Sequence, residues 1–486
     1  MKTLLRSLGP AAAILALAAA PLSAQFTHYV ALGDSLTAGV EGGCLVQRNQ
    51  LASFPAVLAN ALNQTDFQQP LVQELGLTNP LVGAPCLGAV LSGSSITVGP
   101  ISQMGGPLNA LLARPYDNLG IPGANVGDLV SLTHGNPNGG STAVRFSALV
   151  LRNVPGSPFD GMNAVTEANL LGPDLITLWA GSNDILSAAT AGLFLPGVTA
   201  TPPDVFEDNY AAVLENIAVP GRTIVAGNVP DVTAIPFTTT VPARITIPGG
   251  SVPVLGPGND AYPCEPVAPD HGCPVPDGTL VTLPASALLA QGIGVPVALG
   301  GTGQPLPDGQ FIPPATVVPG VLLYPDEVAG IEEYIADYNA IIAAQIAGVG
   351  GAVVDINAIF DDISAHGFHL GGINLSTAFL SGGIFSADGV HPSSIGYTII
   401  ANAFIQTMNV ELGLEIPTPD FSHVLFTPNV PPSGAGVRGG GEWHYTLGMW
   451  RELLERTGAA RGFSIEMPSA SAPRPGRGGP RRVVRD

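Results

Sequence analysis

Lysine is almost missing from this chain: Lys2 is the only one. Past that residue there can be no phosphate-binding GxxxxGK[ST] loop, no Schiff-base lysine and no serine–lysine pair, so three reaction classes drop out. Charge of any kind is scarce, at 11% of residues, and it is lopsided: residues 25–432 hold 32 Asp and Glu against six Arg. A body of that sign repels phosphate backbones, so nucleic acid is not an expected partner. No GxSxG occurs, which counts against the nucleophile elbow of α/β-hydrolases. No CxxC occurs either, which argues against a structural zinc site.

Long apolar runs are lacking too, with one exception. Residues 1–24, MKTLLRSLGPAAAILALAAAPLSA, place Lys2 and Arg6 before an apolar stretch that ends in small residues. That is the layout of a signal peptide, with a mature start expected near Gln25 and a secreted, extracellular or periplasmic product. No later window reaches roughly 18 uninterrupted apolar residues, so no stable membrane span is expected. Four cysteines in an exported chain allow two disulfides in any of three connectivities. Cys264 and Cys273, nine apart, are the natural pair, which leaves Cys44 with Cys86.

What the sequence has in abundance is Gly (62) and Pro (47), so loops and turns take up much of it. Between them lie short β-branched runs at 28–33, 117–121, 174–180, 222–228 and 352–357. Helical patterns at 204–218, 327–347 and 393–413 alternate with these runs, an order that predicts a mainly parallel sheet covered by helices. Residues 236–320 differ in texture, being rich in Pro, Gly and β-branched residues, with one short helix expected at 284–292. The expected organisation is a first domain part at 25–235, a lid-like insertion at 236–320, a second part at 321–417, and a linker with an Arg/Gly/Pro-rich tail at 418–486. The tail holds nine arginines from Arg438 onward.

A serine hydroxyl becomes a nucleophile only when a base takes its proton, a third group holds that base in one tautomer, and donors await the oxyanion. The stretch LGDSLTAG, 32–39, puts Ser35 directly after the first strand, at the edge where open parallel sheets build their sites. FSADGVHPSSIGY, 385–397, holds Asp388 and His391 three apart on one loop before a helix. WAGSND, 179–184, ends a strand with Asn183, whose side-chain amide can donate to an oxyanion. In NLGIPGANVGDL, 118–129, Gly123 or a neighbour can offer a backbone N–H. His366 and His369 raise a metal reading, but a Gly-flanked pair in a turn is more simply solvated.

Taken together, GDSL near the start, the Gly turn, GSND and the late DGVH resemble the GDSL, or SGNH, family of serine hydrolases. The resemblance spans 28 to about 408 outside the insertion. It implies a three-layer α/β/α sandwich of flavodoxin-like type. It also implies Ser35 as nucleophile, His391 as base and then acid, and Asp388 as its orienting partner. The oxyanion would be held by the N–H groups of Ser35 and Gly123 and the side chain of Asn183, with Gly120 shaping the turn. No cofactor and no metal is implied. The expected function is that of a secreted esterase or lipase acting on a small-molecule or lipid carboxylic ester. The rivals are a carbohydrate O-acetyl esterase and an exported binding module on the same fold.

Overall fold

A computed structural model describes residues 26–73, 106–370 and 372–421, and the backbone of two further strands, Leu87–Ser92 and Ser95–Pro100. The expected signal segment, Cys86 and the tail beyond Phe421 lie outside the described residues. The five apolar runs form the strands of one sheet: β1 (Tyr29–Gly33), β2 (Asn118–Gly120), β3 (Leu175–Trp179), β4 (Thr223–Gly227) and β5 (Ala352–Val354). All pairings are parallel and the spatial order is β5-β4-β3-β1-β2. Strand β5 is shorter than the run 352–357, because the Asp355 side chain accepts the Ala358 N–H at 3.0 Å and starts a helix, Ile356–His366.

Alternating side chains give the sheet two buried faces. Tyr29 and Ala31 of β1 point to one side, where Phe54 and Leu58 of the helix Phe54–Ala61 meet Tyr397, Ile400 and Phe404 of the helix Ser394–Glu411. Val30 and Leu32 point to the other, against Phe206 and Tyr210 of the helix Pro203–Ile217 and Ile331, Ile335 and Ile342 of the helix Pro325–Gly348. The result is a three-layer α/β/α sandwich whose helices sit close to where the 3.6-residue pattern put them.

Residues 236–320 form small antiparallel pairs, among them Arg244–Ile247 with Gly250–Pro253 and Gln310–Ile312 with Thr316–Val318. The expected short helix is present at Ala285–Leu289, and Cys264 is bonded to Cys273. Val254, Leu283 and Leu306 of this segment are buried in the same apolar cluster as the sheet, so the segment has no separate core. No described cysteine is free, and the expected partner of Cys44 falls on Cys86, outside the described residues.

Space is tight at the carboxyl ends of β1 and β2. A Cβ on Gly33 would lie 2.1 Å from the Trp179 carbonyl oxygen, and one on Gly120 would lie 2.4 Å from the Ala38 nitrogen. Both obstacles are backbone atoms, which cannot swing aside. We predict that Gly120→Ala destabilises the fold by about 3 kcal/mol. Urea denaturation checks this, and a loss below about 0.5 kcal/mol would contradict the close approach.

Candidate active site

The strand order is that of doubly wound sheets, with a switch point between β1 and β3, where the chain leaves in opposite directions and a crevice opens. Ser35 follows β1 as the first residue of a one-turn helix, Ser35–Ala38, and Asn183 follows β3 as the first residue of the helix Asn183–Ala191. The one-turn helix is tied on all sides. Asp34 accepts the Leu36 N–H at 2.8 Å, Thr37 donates to the Trp179 carbonyl at 3.3 Å, and Asn118 donates to the Thr37 carbonyl at 2.9 Å. Tyr397 donates to the Val40 carbonyl at 2.7 Å.

The loop before the helix Ser394–Glu411 brings His391 onto Ser35. His391 Nε2 lies 2.9 Å from Ser35 Oγ, and His391 Nδ1 lies 2.8 Å from Asp388 Oδ2. Asp388 is fully buried, and its other oxygen accepts the Ser386 hydroxyl at 3.0 Å and the Val390 and His391 N–H groups at 2.9 Å each. Burial alone would raise its pKa. The charge and hydrogen bond of His391 and the two N–H groups outweigh that, holding the carboxyl at about 2. An ionised carboxylate only accepts, so Nδ1 must carry the donated proton and Nε2 is left to accept the Ser35 hydroxyl.

The sequence pattern did not single out Ser386. Its hydroxyl donates to Asp388 and accepts the Gly42 N–H at 3.0 Å, coupling the loop to the segment after Ser35. A serine two residues before an aspartate is too common to read alone.

The expected donors lie as follows. One amide hydrogen of Asn183 goes to the Ala124 carbonyl at 2.9 Å, leaving the second, and Asn183 lines a cavity together with Ser35 and His391. Among the described hydrogen bonds the N–H groups of Ser35 and Gly123 have no acceptor. The N–H of Gly120, by contrast, donates to Asn118 Oδ1 at 3.0 Å. Gly123 has φ +81°, and a Cβ there would press on Thr142, so glycine is required on two counts. His366 and His369 do not converge: His366 meets Asp362 at 2.9 Å, and His369 meets Asn374 at 2.6 Å across a hairpin. Among the described residues no group of three His, Cys, Asp or Glu is arranged to hold a metal ion.

The cavity beside Ser35 is walled by Leu36, Trp179, Leu186, Ile235, Phe360 and Phe385, so an apolar group fits against the hydroxyl. Residues 230–235 and 360–392 supply much of its lining, and no residue of 236–320 is among them.

Several carboxyls near the site oppose Asp388 in their pH behaviour. Burial pushes Asp34, Glu41 and Asp184 up to about 7 each. Between about pH 4 and 7 the folded state holds protons that the unfolded chain has released, so these three lower stability as pH rises through that window. Asp388 contributes fully above about pH 4, and its contribution is lost as pH falls through about 2. We predict a higher Tm at about pH 5 than at about pH 8, with a fall below about pH 3. Calorimetry across that range checks it, and a Tm climbing steadily to pH 8 would contradict it.

Comparison with known proteins places the chain in a family. Residues 29–404 match the family described as GDSL-like Lipase/Acylhydrolase. Among solved structures, the chain is similar to LAE5, an alpha/beta hydrolase enzyme from the metagenome of Lake Arreo, Spain, at 13% identity and TM-score 0.31, over 79% of this chain and 94% of that one. It is also similar to a Clostridium thermocellum family 3 carbohydrate esterase at 14% identity and TM-score 0.30, over 79% and 97%. No curated protein matches it. With the family matched across more than three quarters of its length, the chain belongs to the GDSL-like lipase/acylhydrolases, hydrolases that act on esters.

Proposed function

We propose that this protein is a secreted serine esterase or lipase that cleaves carboxylic esters through an acyl-serine intermediate. The observation that carries the reading is the unbroken line of hydrogen bonds from buried Asp388 through His391 to Ser35, opening on an apolar cavity. In this reading His391 Nε2 takes the Ser35 proton as Oγ bonds to the ester carbonyl carbon, and Asp388 stabilises the imidazolium. The N–H groups of Ser35 and Gly123 and the amide of Asn183 receive the oxyanion. The C–O bond to the alcohol then breaks, and His391 gives the proton to the departing oxygen. Water, deprotonated by the same Nε2, attacks the acyl carbon, and Ser35 recovers its hydrogen as the acid leaves. The apolar wall suits an apolar acyl or aryl group.

Export is supported by the leader-like start and by the Cys264–Cys273 disulfide, a bond that persists in oxidising compartments. No helix among the described residues is long and apolar enough to cross a membrane. N-terminal sequencing of protein recovered outside the cytoplasm should begin near Gln25, and a start at Met1 would contradict a cleaved leader.

The catalytic test is a panel of nitrophenyl esters from acetyl to palmitoyl. Ser35→Ala should lower kcat by about 10⁴-fold or more, and Asp388→Asn by about 10³- to 10⁴-fold because it strands the wrong tautomer. Asn183→Ala should cost about 10²- to 10³-fold. Full turnover by Ser35→Ala would sink the acyl-serine reading, and circular dichroism of each variant excludes misfolding as the cause.

A further inference from the structure

The cavity beside Ser35 has an uneven electrostatic character that hydrolysis alone does not call for. No arginine or lysine lines it, whereas Asp231 and Asp361 both do. Asp231 Oδ1 is occupied by the N–H and hydroxyl of Thr233, both at 2.7 Å, which fixes that carboxylate at the wall. Asp361 is pushed above its ordinary value by burial and then by the charges of Asp231 and Asp355, and Glu332 is likewise raised by burial and by Asp231. These carboxylates share one field with no cation in the lining to offset it.

Two further observations point to a ligand. Phe360 adjoins Asp361 on the helix Ile356–His366 and packs against Phe385, with ring centroids 5.4 Å apart and planes tilted by 33°. Both rings line the cavity, so aromatic surface stands beside the carboxylates. Ser182 also lines it: its residue is 6% exposed, its Oγ is buried without a hydrogen-bond partner, and it does not cap the helix that follows. A buried hydroxyl left unpaired is unfavourable unless a bound group meets it.

Aromatic faces beside carboxylates form a setting that takes alkylammonium groups, since ring quadrupoles and negative charge both attract the cation while its methyl groups tolerate apolar contact. We propose that the substrates of this site are esters of alkylammonium alcohols, with the cation received by Asp231, Asp361, Phe360 and Phe385 and the ester portion meeting Ser182. The inference rests on the hydrolase reading and deepens it by naming the alcohol. The alcohol keeps its positive charge through the reaction, whereas the product acid is an anion that the same wall repels.

The test compares the butyrate ester of choline with its uncharged isostere, 3,3-dimethylbutyl butyrate, using the full chain. The expected kcat/KM ratio is about tenfold in favour of the cation at low ionic strength, shrinking as salt is added. Asp231→Asn combined with Asp361→Asn should bring the ratio to within about twofold of unity, whatever happens to the neutral ester. Should that variant not fold, competitive inhibition of nitrophenyl ester hydrolysis by tetramethylammonium, stronger than by 3,3-dimethylbutanol, supports the proposal, and equal inhibition overturns it. Turnover of nitrophenyl esters with a ratio near one in the unaltered protein overturns this inference alone. Absence of turnover on every ester overturns the hydrolase reading and this one with it.

Discussion

Three strand ends and a single helical turn occupy a space that admits no extra methyl group. Gly33 and Gly120 leave the Trp179 carbonyl and the Ala38 nitrogen room to approach, and everything at the site is hung from that contact. Were the one-turn helix displaced outward, Ser35 would leave the reach of His391, and the bonds from Thr37, Asn118 and Tyr397 would break with it. The glycines work by omission, and the polar side chains around them then fix what the omission permits.

A second dependence is electrostatic. Asp388 is buried without exposure yet stays ionised, because the charge of His391 and the donors that converge on its two oxygens outweigh burial. Asp34, only one residue from Ser35, accepts one N–H, its second oxygen has no partner, and its carboxyl is pushed up instead. Two buried aspartates in one site thus differ in charge behaviour through the charge and donors each meets. The ionised Asp388 at Nδ1 then decides the tautomer of His391.

Much of this was legible in the sequence, for identifiable reasons. Apolar runs such as 174–180 predict strands because a parallel sheet buried on both faces needs continuous β-branched residues. The 3.6-residue spacing of Ile331, Ile335, Ile342 and Ile346 marked the long helix for the same reason of burial. Ser35 and Asn183 stood out because each opens a helix just past a strand, Asp388 and His391 because they are three apart on the loop before a helix, and Gly123 because it sits in the Gly-rich turn after a strand. Ser386 was not, since its value lies in a contact with Gly42 that exists only after folding. Nor could periodicity reveal that Asp355 would cut β5 short, or that the insertion would join the main core while leaving the cavity lining to other loops.

The hydrogen bond between Ser35 and His391 spans 356 positions of chain. Such a contact carries a large loop-closure entropy unless the intervening strands have already paired. During synthesis Ser35 emerges 356 residues ahead of its imidazole partner. Any fragment that stops short of residue 391 carries the hydroxyl without its base. In the proposed mechanism, completion of the fold is thereby a timer on reactivity, and a partly made chain would hold an ordinary serine.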